Sequence, residues 1–276
     1  MSKEAEARVR DELLQELYAS ALRCSLASSQ ADVPGGVSAG VAAGLFANLR
    51  PTDLLVLPQR GAGTLRTLRD LSYRSQAHTL ARDQAACVLP LPTSETAAVA
   101  YVLGAATAAP LQRDGALVCV VLPPRSLRAS PSQPRGSKSK QQQFPTTWAH
   151  AAHYAAVHAL PLLFITDAAT TQRTQAANPA QPAPLYPTIP VDREDALAIY
   201  RVAFECSTRA RSASGPSHLQ CVAVAGLPAA AMPHGAKAQP EQTLARLEQM
   251  LRKRGAFAKA WHRALERRLI REITEA

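Results

Sequence analysis

Two apolar runs, Leu117-Val118-Cys119-Val120-Val121 and Leu162-Leu163-Phe164-Ile165, constrain this chain more than anything else in it. Neither alternates apolar with polar residues, so a strand built from either has no face to give to water. Strands buried on both faces belong to parallel sheets covered by helices. Between the runs lie a polar insert and a helical stretch, Thr147 to Leu160, which Pro161 ends. That order is a βαβ crossover spanning Ala116 to Ala169. In open parallel sheets ligands bind outside the carboxyl ends of the strands, which here read Leu122-Pro123-Pro124 and Asp167-Ala168-Ala169. Those ends are poor in ligand chemistry.

The rest of the chain extends the same pattern. Leu54-Leu55-Val56-Leu57 is another continuous apolar run. Val9, Leu13, Leu17 and Ala21, with Leu14, Leu22 and Leu26 beside them, predict an amphipathic helix from about Glu4 to Ala27, broken by the turn formers from Ser28 to Gly36. Ser38 to Leu49 and Glu95 to Ala108 read as buried helices of small residues, the second with Ser94 as its cap. Residues 64 to 92 read as mixed helix and loop, and Gln172 to Pro187 as a long loop. Val191-Asp192-Arg193-Glu194-Asp195 reads as the opening of a helix that runs to about Arg211 with Ala198, Val202 and Cys206 on one face, its acidic residues suiting the positive end of the macrodipole. Ser214-Gly215-Pro216 then leads into a strand, Leu219 to Ala225. The expected fold is α/β, a central mostly parallel sheet with helices on both faces. Residues 1–225 form the main domain, and 226–276 a linker and a closing helical pair, Glu241 to Arg254 and Phe257 to Ile273, with Gly255 between them.

Charge and composition narrow the function. A formal charge of +10 invites nucleic acid or an acidic surface as partner. Aromatic residues are only 5%, too few for a base-stacking surface. Much of the basic excess falls in the Pro/Ser/Gln-rich insert at 123–145, with Arg125, Arg128, Arg135, Lys138 and Lys140. Such a composition is predicted to stay mobile, and it brings no folded reader with it. Nucleic acid is therefore not the expected partner. The five cysteines are scattered, form no C-x-x-C pair and read as buried thiols of a reducing compartment. No apolar run reaches 18 residues and the first residues are charged, so the expectation is a cytoplasmic protein with no membrane span.

Motif chemistry is sparse. Gly61-x-Gly63 lacks the third glycine of a dinucleotide loop and reads as a turn. No G-x-S-x-G, Walker loop or H-E-x-x-H occurs, which leaves hydrolase, NTPase and metalloprotease readings without residues. His150 and His153 fall three apart on one helix, a spacing that suits a transition metal if further ligands join them; surface or packed histidines are the plainer reading. Asp167 is the one obvious carboxylate near a strand end.

Five segments in order resemble the α subunit of thiamine-diphosphate-dependent 2-oxo acid dehydrogenases, the E1 component. They are Leu17 to Ala27; Gly40-Val41-Ala42-Ala43-Gly44-Leu45 with Leu49-Arg50-Pro51-Thr52-Asp53; Trp148 to Asp167; Val191-Asp192 through Arg211 with Ser214-Gly215-Pro216; and Glu241 to Gly255. The resemblance implies a thiamine-diphosphate-binding fold and, as cofactors, thiamine diphosphate with Mg²⁺. As partners it implies an E1 β-type subunit or a homo-oligomer, within reach of a lipoyl acyltransferase complex. It also implies the site. The family's Mg²⁺ ligands, Gly-Asp-Gly and Asn-Asn, correspond to Leu122-Pro123-Pro124 and Ala168-Ala169, which have no ligand oxygen on a side chain. Its diphosphate-contacting Tyr-Arg corresponds to Gln59-Arg60, its helical Asn to His153 and the Glu before that to His150. Val33-Pro34-Gly35 stands for its Gly-Gln-Glu, and Leu227-Pro228-Ala229 for its His-Gly-His. Gln59, Arg60, His153 and Asp167 are thus the candidate cofactor contacts, with no catalytic residue and no metal ligand assigned. Two readings stay open: a subunit that has lost the Mg²⁺-diphosphate site and serves structure or regulation, or a working subunit whose cofactor is held mainly by its partner. A basic, nucleic-acid-associated protein on a borrowed fold is the third.

Overall fold

A computed structural model describes residues 11–30, 37–50, 52–57, 88–111, 115–123, 126–127, 145–168, 185–223 and 240–274. Six strands, β1 (Leu54–Leu57), β2 (Val88–Pro90), β3 (Val118–Leu122), β4 (Leu162–Ala168), β5 (Thr188–Asp192) and β6 (Ser217–Val222), form one sheet in the order β2-β1-β3-β4-β6-β5. Every neighbouring pair is parallel. The apolar runs at Leu117 and Leu162 are neighbours, Val118 facing Leu162 and Val121 facing Ile165.

Alternation along the strands splits the core in two. Leu117, Cys119, Val121, Leu163, Ile165, Leu219 and Cys221 point to one face, where α1 (Asp11–Gln30), α2 (Ala39–Phe46) and the long helix before β6 pack. Val118, Val120, Leu122, Leu162 and Phe164 point to the other, under α3 (Glu95–Ala108) and α4 (Trp148–Val157). This is the expected α/β architecture, with the apolar runs buried on both faces because helices cover both. Leu54–Leu57, 0% exposed at three of its four positions, obeys the same rule.

The main departure from the sequence reading lies at β5. Thr188–Asp192 is a strand, so the residues read as a helix opening finish an edge strand and make a turn. Asp192 Oδ1 accepts the Glu194 N–H at 3.1 Å, and Asp195 is the N-cap, its Oδ1 accepting the Ala198 N–H at 2.9 Å. The helix, α5 (Ala196–Arg211), therefore starts after the acidic run. Its buried face is Ala196, Ile199, Ala203, Cys206, Ser207 and Ala210, while Ala198 and Val202 are half-buried. β5 is an edge. His218 N–H reaches Pro187 O at 2.9 Å and Arg193 N–H reaches Val222 O at 3.0 Å, so the odd positions bond inward and Pro190 turns its backbone outward, where it has no N–H to offer a stray strand. β2 lies within the stretch expected to be helix and loop; the rest of 64–87 lies outside the described residues, as does most of the insert at 123–145.

The closing pair, α6 (Pro240–Lys253) and α7 (Lys259–Thr274), packs on the main body: Leu247, Leu251, Leu265 and Leu269 join the apolar cluster of α1. A small cluster of rings forms there. Tyr18 meets the rings of Phe257, Trp261 and His262 at 5.7–5.9 Å and its hydroxyl lies 3.1 Å from His262 Nδ1. Gly255, at φ 70°, makes the turn between the two helices.

α2 is hydrophobic all round and lies against α5 with almost no space between backbones. A Cβ on Gly40 would overlap Arg193 O, and one on Gly44 would sit 2.6 Å from Ala196 O. By contrast a Cβ on Gly104, on the outer side of α3, meets nothing within 4 Å. Gly44→Ala should therefore lower unfolding stability by about 1–3 kcal/mol or more through backbone overlap, while Gly104→Ala should raise it by about 0.5–1 kcal/mol through helix propensity. Urea titration of both variants checks the pair; equal effects would refute the packing account.

Candidate functional site

The carboxyl edge of the sheet is where a parallel α/β protein places its ligand. Asp167, one residue before the end of β4, points to the face that α2 covers, because it shares the alternation of Leu163 and Ile165. Arg193 follows β5, two strands away across β6. Its guanidinium closes on Asp167 as a fork, Nε to Oδ1 at 2.7 Å and Nη2 to Oδ2 at 3.0 Å, with the two side chains only 6% and 7% exposed. Oδ2 also accepts the Ser38 N–H at 2.7 Å, at the start of α2. Ser38 completes the junction: its hydroxyl donates to Arg193 O at 2.9 Å and accepts from the Val41 N–H at 3.2 Å as the N-cap.

The network continues outward. Glu194 Oε1 lies 3.7 Å from Arg193 Nη1, and its other oxygen accepts the Thr243 hydroxyl of α6 at 2.7 Å. Asp192 pairs with Arg246 of α6 at 2.6 Å. Burial works against the Arg193 charge, but the hydrogen bonds and negative charge of Asp167, with Glu194 behind, outweigh it and hold the guanidinium's pKa up. Burial pushes Glu194 up as well, with the Thr243 hydroxyl and Arg193 pulling it part of the way back.

This arrangement is a closed ion-pair network. Asp167 accepts three hydrogen bonds, and the cation beside it is a tethered guanidinium. Mg²⁺ needs several oxygens in octahedral array. A Mg²⁺ ion at Asp167 would have to displace Arg193 and leave a buried charge unpaired. The ends of β3 and β4 offer no replacement, since Leu122, Pro123 and Ala168 have no side-chain oxygen. Among the described residues no group of three or more His, Cys, Asp or Glu is arranged to hold a metal. His150 and His153 are exposed on α4, over the opposite face of the sheet from the Asp167 side chain, so the structure does not bring them together with it. Gln59 and Arg60 lie outside the described residues, as do Val33-Pro34-Gly35, Ala169 and Leu227-Pro228-Ala229.

Sequence reasoning located Asp167 but none of its partners. Arg193, a lone basic residue inside the acidic run from Asp192 to Asp195, was the available signal, since a strand-end arginine among carboxylates is an ion-pair candidate. Two other buried polar sites were also missed. At the amino edge, Asp53 is 0% exposed, accepts the Arg50 N–H at 2.7 Å and the Leu117 N–H at 3.0 Å, and pairs with Arg211 at the end of α5. On the α4 face, His218 Nε2 lies 2.9 Å from Thr166 Oγ1, and burial lowers the imidazole to about 4. A groove of about 510 Å³ beside the start of β5 is lined by Ile189, Phe204, Cys206, Arg209 and Ser217 among others. Burial pushes the Cys206 thiol up, and likewise those of Cys24 and Cys221, which removes thiolate chemistry from all three.

No protein-family model matches the chain, and no curated protein matches it either. No helix among the described residues is long and apolar enough to cross a membrane.

Two outcomes follow from this geometry. Asp167→Ala and Arg193→Ala should each cost about 3–5 kcal/mol in denaturant unfolding because each strands a buried charge, and the double variant should cost clearly less than their sum. Strict additivity would show that the pair is not coupled. For His218, the unfolded imidazole near 6.5 takes a proton that the folded one refuses down to about 4. Its contribution is complete above pH 6.5 and is lost as pH falls through that window, by up to about 3 kcal/mol. His218→Gln should flatten that part of the stability-against-pH curve; a curve of unchanged slope would contradict it.

Proposed function

We propose that this chain is an E1 α-type subunit that has given up its own Mg²⁺-diphosphate site and serves as a structural or regulatory subunit beside an E1 β-type partner. Two things support the reading. The five segments that resemble the family run in order along a chain whose fold is a parallel α/β sheet with helices on both faces. The observation that carries the reading is Asp167: the carboxylate nearest the metal positions implied by the resemblance is bound on both oxygens by Arg193 and Ser38.

The residues present do not fit the metal. Pro123 and Ala168 stand at strand ends where oxygen ligands are needed, and Arg193 already neutralises Asp167. No step of a decarboxylation is therefore assigned to this chain. What remains is the scaffold: α2 and the ends of β4 and β5 are locked at the edge that would face a bound cofactor.

Titration calorimetry of thiamine diphosphate with Mg²⁺ against the purified chain should give no heat of binding up to millimolar cofactor, while co-expression with a β-type partner should yield a complex that co-purifies. Micromolar, Mg²⁺-dependent binding that vanishes on Arg60→Ala would overturn the loss of the site. Failure to pair with any β-type chain would overturn the subunit role.

A further inference from the structure

α7 carries four cations at a fixed interval, Lys259, Arg263, Arg267 and Arg271, and all four are exposed. Successive members are about 6 Å apart along the axis and turned by about 40° around it, so they form one slanting stripe over three turns. No carboxylate among the described residues pairs with any of the four. The neighbouring charges are handled differently. Glu272 is bound by Arg23 at 2.8 Å and Arg268 at 3.6 Å, Arg252 pairs with Glu248, Arg254 with Asp11, and Glu266 lies 4.0 Å from His262. Among the described residues, the acids of this region thus lie against side chains outside the stripe. Like charges four apart on a helix repel one another, so the stripe is unfavourable for the isolated chain.

We infer that the α7 stripe binds the phosphate backbone of nucleic acid, without reading base sequence. Three observations favour that occupant. The stripe is a regular row of positive charge, complementary to a regular polyanion. Three of its four members are arginines, whose planar fork suits phosphate oxygens. And the apolar side of α7 is not available to a lipid surface: an interfacial helix must sink its apolar face among acyl chains, whereas Leu265 and Leu269 are buried in the protein core and Ile270 alone of the large apolar side chains on α7 is exposed. The basic insert at 123–145 supplies charge without a folded surface in its sequence pattern; α7 supplies both. The inference does not depend on the cofactor-free subunit reading, and neither outcome decides the other.

The test is fluorescence anisotropy with the full chain, a labelled duplex of about 20 base pairs and a labelled single strand of the same length, across salt concentrations. Vesicles of phosphatidylserine and phosphatidylcholine form the competing arm. Micromolar binding to the oligonucleotides at low salt is expected. Replacing Lys259, Arg263, Arg267 and Arg271 together by Gln should weaken it at least about tenfold and make the slope of log K against log salt shallower by about 3. Single variants Arg263→Gln and Arg267→Gln, which leave the helix otherwise intact, should each remove roughly 0.7–0.9 of that slope. Replacing Arg125, Arg128, Arg135 and Lys138 by Gln should leave most of the binding. Absence of binding, a quadruple variant that binds like the parent, loss confined to the 125–138 variant, or binding to vesicles but not to oligonucleotides would each overturn the inference.

Discussion

Two buried aspartates bracket α2 and α5, whose backbones nearly touch, and the rest of the described structure hangs on that bracket. At the carboxyl edge Asp167 holds the N–H that starts α2 and the arginine that precedes α5. At the amino edge Asp53 holds the Arg50 N–H just after α2 and Arg211, the last residue of α5. Between these clamps, Gly40 and Gly44 let the α2 backbone touch that of the turn and first residues of α5. Neither half works without the other. Contact at 2–3 Å from a would-be Cβ tolerates no sliding, and the aspartates fix both ends against it.

What the sequence disclosed about the fold follows from burial. β1, β3 and β4 lie inside the sheet, so water is excluded from both faces and their composition announces it. β2 and β5 are the two edges. An edge strand needs only one inward row; β5 buries Val191 alone, and its flanking Pro190 and Asp192 look like turn residues. The acidic run after it has the composition of a helix start, and a helix does start there, but only at Ala196, because Asp192 and Asp195 are spent on a turn and a cap. Local propensity was read correctly and placed in the wrong register. The C-terminal pair was legible as helices; that they complete the α1 cluster was not, since amphipathic spacing shows that a face is buried and not against what.

The site was legible in its emptiness and illegible in its contents. Pro123 and Ala168 are poor ligands wherever they sit, so their residue types alone carried that part. Asp167 came from its position beside a strand end. Arg193, Ser38 and Thr243 come from three other segments, 26, 129 and 76 positions away from Asp167 in the chain, and no periodicity links them. His153 illustrates the converse: the resemblance implies that it shares a site with Asp167, but pleat alternation sends the carboxylate to the α2 face while α4 lies over the other.

A buried ion pair by itself is weak evidence for stability, because well-packed apolar residues of the same size often do as well. Asp167 and Asp53 are different in kind, since each also accepts backbone N–H groups that no apolar side chain could satisfy: that of Ser38 at a helix start, and those of Arg50 and Leu117 at the amino edge of the sheet. An unsatisfied buried N–H costs about 1–3 kcal/mol. Replacing either pair by hydrocarbon would therefore leave orphaned donors at the ends of α2 and beside β3. The arginines are the consequence: once a carboxylate is buried to serve the backbone, its charge must be met, and Arg193 and Arg211 meet it from the two ends of one helix. At the carboxyl edge that solution consumes the carboxylate a metal would use. Opening the site for a divalent ion would cost Asp167 its partner and, through Ser38, α2 its anchored start.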